Sequence, residues 1–226
     1  MTATCLAITL LSSCSQSGSV DFHSVLTIGS LGRGGRIPVT TNSLLDTIVN
    51  GTLPLPAIST EVVSTTGETK RWKETVVGPD GWFASDDFSG GFAFAAYDAP
   101  ANRVMMLEAA GHSFVYVNGE PRGGDPYSFG FLRLPVEIKK GANSFLFNVA
   151  RGRLKFRLVE VESGVFVEAR DATLPDLITG EIGERVGAVI VTNATPLTMR
   201  EFVLRARLAS GRYEETRLPD LPPLSF

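Results

Sequence analysis

The clearest alternation of apolar and polar positions lies at 132–138. There Leu132, Leu134, Val136 and Ile138 interleave with Arg133, Pro135 and Glu137. A period of two buries one face of a β-strand and wets the other. Pro135 has no N–H for a central ladder, so this strand is expected at a sheet edge or at a bulge. After the turn Lys140-Gly-Ala-Asn143, Phe145, Phe147 and Val149 repeat the period. Earlier strands are predicted at Phe92-Ala-Phe-Ala-Ala-Tyr97, behind the Gly90-Gly91 turn, and at Arg103–Ala109 and Phe114–Val117, linked through Gly111-His112. Between Val117 and Glu120, Asn118-Gly119 tolerates the positive φ angles of a type I′ turn and predicts a tight hairpin. At 154–162 the phase slips: Leu154, Phe156 and Leu158 give way to Val159 and Val161. That slip predicts a β-bulge or a strand crossing between sheets.

One helix is predicted, from Asn42 to Asn50. Thr41 or Asn42 can cap it, Leu44, Leu45, Ile48 and Val49 share a face, and Gly51 stands where a helix stops. Pro54 and Pro56 then hold the chain extended, and Trp72, just ahead of a strand, is expected in the core. Residues 170–184, with Leu174-Pro-Asp176, read as a linker to a second β unit. In it, 186–192 is a strand, Asn193-Ala-Thr-Pro196 a turn, and Phe202, Leu204, Ala206 and Leu208 alternate with Val203, Arg205 and Arg207. Gly211-Arg212 then turns the chain into Tyr213–Leu218. This unit offers about three strands, where an immunoglobulin-like sandwich uses about seven. Either the chain is the front of a longer protein, or these strands join the first sandwich. The fold expected is mainly all-β: a jelly-roll β-sandwich followed by a partial immunoglobulin-like β unit, with one short helix near the amino terminus. Its divisions are 1–14 (signal peptide and lipobox), 15–40 (tether and loop), 41–169 (sandwich) and 170–226 (second β unit).

Composition narrows the classes. Of 226 residues, 43% are hydrophobic and 20% charged, which suits a folded globular chain. The 23 Gly and 13 Pro favour short strands joined by turns over long helices. A net charge of -3 leaves no basic footprint for nucleic acid and no polybasic membrane patch. Both cysteines, Cys5 and Cys14, lie near the start. The apolar run 6–11 is far short of the roughly 20 residues that span a bilayer and has the size of a signal-peptide core. Leu11-Ser-Ser-Cys14 resembles a bacterial lipobox. That implies cleavage before Cys14, acylation there, a membrane lipid anchor at the cell envelope, and no partner cysteine for a disulfide. No Lys or Arg precedes Arg33, unlike the positive start of a signal peptide. Either the true start lies upstream, or the segment is a plain apolar terminus. Ser15–Ser19 reads as a flexible tether. Gly29-Ser-Leu-Gly-Arg-Gly-Gly35 lacks the Gly-Lys-Ser/Thr ending of a phosphate loop and reads as a plain loop.

Candidate chemistry is sparse. No Gly-x-Ser-x-Gly occurs, His23 falls in the tether, and His112 is left as the folded region's histidine. On a strand His112 and Ser113 point to opposite faces, so His112 is expected as a hydrogen-bonded loop histidine and the chain as no enzyme. Zinc has no Cys/His cluster to bind. Asp80, Asp86, Asp87 and Asp125 sit in loops and could offer oxygens to a structural calcium, against the plainer reading of solvated turn aspartates. No acidic pair stands out among 24 Asp and Glu for glycoside hydrolysis. Trp82, in Gly78-Pro-Asp-Gly-Trp-Phe83, and Tyr127, in Gly123-Gly-Asp-Pro-Tyr127, are loop aromatics. With Asp125 they form a candidate ligand platform for a sugar face, or they fold back over a sheet end.

Residues 104–160 resemble the galactose-binding-like β-sandwich of accessory domains in secreted bacterial enzymes. The likeness rests on Val115-Tyr-Val-Asn-Gly119, Leu134-Pro-Val-Glu-Ile138 and Lys140-Gly-Ala-Asn-Ser-Phe-Leu-Phe147, in that order. Such sandwiches often hold a structural calcium. The wider layout is similar to the non-catalytic amino-terminal region of exported serine hydrolases of the prolyl-oligopeptidase type. Here the pieces are Leu107-Glu-Ala-Ala-Gly-His112, Gly124-Asp-Pro-Tyr127, Arg151-Gly-Arg153 and Leu174-Pro-Asp176. The resemblance implies a non-catalytic module that binds a glycan or protein partner or orients a neighbouring domain. The alternative is the accessory front of a hydrolase whose catalytic domain lies outside this chain.

Overall fold

The computed structural model describes residues 18–32, 42–52, 54–149, 151–161, 163–176, 178, 180, 183–207 and 211–226. The lipobox with Cys14 and Cys5, and most of the glycine-rich loop, lie outside the described residues. In chain order the strands are β1 (Ser19–Asp21), β2 (Ser24–Ile28), β3 (Glu61–Val63), β4 (Thr69–Arg71), β5 (Lys73–Val76) and β6 (Phe83–Ala84). Then follow β7 (Gly91–Ala99), β8 (Arg103–Ala110), β9 (His112–Val117), β10 (Glu120–Gly123), β11 (Arg133–Ile138) and β12 (Gly141–Val149). The last are β13 (Arg153–Glu160), β14 (Val165–Thr173), β15 (Ala188–Asn193), β16 (Val203–Arg207) and β17 (Tyr213–Arg217). Helix α1 (Ser43–Val49) precedes β3, and a 3-10 turn covers Asp86–Phe88.

The fold is an all-β sandwich. One sheet has six strands in the order β10-β9-β12-β7-β2-β5; the other runs β1-β13-β8-β11, with β6 also on β13. Between them lies the main core, built of Met105, Leu107, Leu134, Val136, Phe145, Phe147, Phe156 and their neighbours. Alternation in β7 explains how the six-stranded sheet packs on both sides. Ala93 and Ala95 face inward, and in the ladder they stand opposite Phe147 and Phe145, so small residues make room for large ones. Phe92 and Phe94 face the other way, under Leu44 of α1 and Trp72. The helix is capped by Asn42, whose side chain accepts from the Leu44 N–H. Leu44, Leu45 and Ile48 pack onto the sheet, but Val49 is 82% exposed and leaves the face expected of it.

Several turns form where the residues predict them. Asn118 (φ 52°) and Gly119 (φ 85°) join β9 to β10. The Asn118 side chain also donates to Asn143 Oδ1 (2.9 Å) and accepts from Ser144 N, locking this hairpin to the turn before β12. Pro135 sits in an edge strand, since β11 pairs with β8 alone.

Four expectations change. Residues 19–21 and 24–28, placed in the tether-and-loop division, are strands, and β2 lies between β7 and β5 with Val25 and Ile28 buried. The phase slip at 154–162 produces no bulge: β13 pairs with β8 without interruption from Lys155 to Glu160. The outward face of this sheet is covered instead of wet, with Met106 and Pro135 buried on it, so apolar residues can occupy both parities. Finally, β14 runs through the boundary at 169/170, and the linker read over 170–184 therefore begins inside a strand. Among the described residues the second β unit is two separate ribbons, β14-β15 and β16-β17, and neither pairs with a sandwich sheet.

Candidate functional site

The bulge is in β9. Asn148 stands opposite Phe114 and Val149 opposite His112, so Ser113 is an extra residue. The shift turns His112 into the core, fully buried, with its ring edge-on to Phe147 at 5.3 Å. This corrects the expectation of a loop histidine, since His112 opens β9. The backbone of Gly123 and the Asp125 carboxylate approach the ring, yet neither imidazole nitrogen closes a hydrogen bond of normal geometry. Burial pushes its pKa down to about 4, against the opposing pull of Asp125 and Gly123. The ring is therefore neutral near pH 7.

Beyond β10 the chain must pass directly over this bulge. A Cβ on Gly124 would come within 2.4 Å of the His112 carbonyl oxygen, so only glycine fits. Asp125 follows, 7% exposed. Its Oδ1 accepts from Phe129 N (3.1 Å) and its Oδ2 from Gly130 N (2.7 Å). Its carbonyl oxygen accepts from Gly111 N and Ser128 N. Both carboxylate oxygens are thus used inside the loop, and Asp125, expected to meet a ligand, instead shapes the loop that carries the aromatics.

That loop holds three rings outward. Tyr127, Phe129 and Phe131 are 61%, 67% and 47% exposed. Tyr127 and Phe129 stack at 5.8 Å, Phe129 and Phe131 at 6.2 Å, so the rings form one continuous row. Arg151 covers the Tyr127 ring at 4.4 Å. The row borders a cleft of about 350 Å³ whose other wall is Ile190, Thr192 and Phe226, with Arg133, Glu168 and Asp171 at its floor and rim.

The floor is an ion network that docks β14 on the sandwich. Arg133 lies 2.9 Å from Glu108 and donates to Glu168 at 2.6 Å; Arg157 and Arg170 also reach Glu108, at 2.8 and 3.3 Å. Burial alone would raise the Glu108 carboxyl, but Arg157, Arg170 and Arg133 outweigh it and hold the pKa below its ordinary value. Burial would lower the Arg133 guanidinium; Glu168 and Glu108 reverse this and raise it. In the β14-β15 ladder Glu168 faces Ile190 while Thr173 faces Ala188, so residues 169–172 bulge out. The bulge sends Arg170 to Glu108 and sets Asp171 on the cleft rim. Asp171 is exposed, with no hydrogen bond or ion pair among the described residues.

The far wall is fastened by Asn193, which is fully buried. Its Nδ2 donates to the carbonyls of Leu197, Leu221 and Pro222. A backbone bond from Asn193 N to Ser225 O completes the hold on the tail that brings Phe226 to the cleft.

Trp82 does not join this site. It is half-buried at another loop, its ring covered by Arg153 at 4.2 Å, and its backbone N–H donates to Asp80 Oδ1 at 3.2 Å. Arg151 and Arg153 leave the same turn, so the two predicted aromatics flank it without sharing a cleft. Asp86 is exposed and Asp87 pairs with Lys73 at 3.4 Å. Among the described residues, no three His, Cys, Asp or Glu side chains group to hold a metal ion. Phe129, Phe131, Asp171 and Phe226 were not singled out by the sequence. The signal present was the alternation Tyr127-Ser-Phe-Gly-Phe131 inside a turn-rich stretch.

No protein-family model, no curated protein and no solved structure matches this chain.

Proposed function

We propose that this chain is a non-catalytic binding module of the bacterial cell envelope, tethered through an acylated Cys14, whose ligand lies along the Tyr127–Phe129–Phe131 row. The observation that carries the reading is the row itself. Three neighbouring rings stay largely in solvent because Asp125, itself buried, spends its carboxylate on holding their loop. A contiguous exposed aromatic patch beside a cleft is the usual form of a binding surface. The position of His112 supports a non-catalytic role, since its ring is enclosed in the core against Phe147.

The accessory-region reading draws on a different feature. Both faces of the β16-β17 ribbon are largely exposed, and an isolated two-stranded ribbon is marginal by itself. A neighbouring domain packed against it would complete it.

The test is a pair of arrays, glycan and peptide, probed with the purified chain and with its Phe129→Ser/Phe131→Ser variant. The proposal expects retention on at least one array, lost in the variant while its melting temperature holds. Silence on both arrays, or binding indifferent to the double substitution, would count against it.

A further inference from the structure

We infer that the cleft receives an extended, proline-bearing peptide segment with an arginine or lysine beside its apolar run, and that Asp171 takes that cation. The inference rests on the binding-module reading and names its ligand class. Its basis is which polar groups of the cleft remain free. Asp125 is spent on Phe129 N and Gly130 N, Glu168 on Arg133 and on Arg170 N, and Arg133 on Glu168 and Glu108. The charged floor is therefore engaged within the molecule, and what remains to meet a ligand is the aromatic row, the Tyr127 and Thr192 hydroxyls and the Asp171 carboxylate. A proline-rich segment asks for little hydrogen bonding. Its rings pack on aromatic faces and edges, and its polyproline conformation is preformed and cheap to order.

Charge selects the sign of the ligand. Asp171 is the one carboxylate of the cleft lining with no partner among the described residues, and the bulge at 169–172 holds it at the rim. The row already accepts a guanidinium within the molecule, since Arg151 lies over the Tyr127 ring. A basic residue on the ligand would thus find a carboxylate and an aromatic row together.

The experiment titrates the full chain with two synthetic proline-rich peptides, one carrying a single arginine at its end and one with glutamine there, by isothermal calorimetry. An exposed ion pair is worth up to about 1 kcal/mol, so the arginine peptide should bind about fivefold tighter. Asp171→Asn, at an exposed side chain without partners among the described residues, should erase that difference. Equal affinities in the wild type, or a preference that survives Asp171→Asn, would overturn the inference. Failure to bind either peptide while a glycan is retained would overturn it too, yet leave the binding-module reading standing. Failure with peptides and glycans alike would remove both.

Discussion

Lowering the pH from 7 to 5 should destabilise this protein through His112. Above pH 6.5 the ring is neutral in folded and unfolded chains alike. Below it, the unfolded chain binds a proton that the folded core refuses until about pH 4. Stability therefore falls by about 1.4 kcal/mol per pH unit across that window, reaching a total loss of about 3 kcal/mol. By pH 5 the loss should be about 2 kcal/mol, a large part of a typical 5–15 kcal/mol. Glu108 acts in its own window: with its folded pKa depressed by its arginines, its contribution is fully present above the ordinary carboxylate value and is lost as the pH falls below it. The assay is urea unfolding of wild type and His112→Leu at pH 7 and pH 5. Leucine removes the titratable ring together with its approach to Gly123 and Asp125, so the comparison is of the change between the two pH values in each protein. The wild type should lose about 2 kcal/mol between the two pH values and the variant under about 0.5 kcal/mol. Equal losses in both proteins would show that His112 is not the group that titrates, and the buried, unpartnered ring would have to be abandoned.

Two further substitutions probe the walls of the cleft. Glu168→Ala should cost about 2 kcal/mol in urea unfolding, less than the 3–5 kcal/mol of a fully orphaned buried charge, because Glu108 still faces Arg133; no change would mean that β14 is not docked through this pair. Asn193→Ala removes two side-chain bonds to the tail carbonyls of Leu221 and Pro222, with a third to Leu197, and should speed carboxypeptidase trimming of residues 221–226 with the sandwich still folded; an unchanged trimming rate would place the hold on that tail elsewhere.

The strands that could be read from the sequence were those whose pattern is set locally. Leu134, Val136 and Ile138 alternate because one face of β11 meets the core, and Asn118-Gly119 turns because both residues accept positive φ. Short strands with polar flanks, such as β1 and β2, gain their place from the ladder they join, and that partner lies far along the chain. The same limit hid the site. An aspartate in a loop looks alike whether it meets solvent or caps its own backbone, so Asp125 was expected outside and is found inside. Tyr127 drew notice, but the Ser and Gly between the next two rings read as loop, and their shared direction depends on that buried carboxylate. Asp171 and Phe226 meet the row only through the β14 bulge and the Asn193 clamp, contacts that join distant segments.

The central claim, that a ligand is met by the aromatic row, is tested most directly by hydrogen–deuterium exchange of the chain with and without the ligand that the arrays select. The account predicts added protection confined to 124–132 and to the opposing wall at 188–193. Protection centred instead on the Trp82 loop or on 69–73, with 124–132 unchanged, would contradict it.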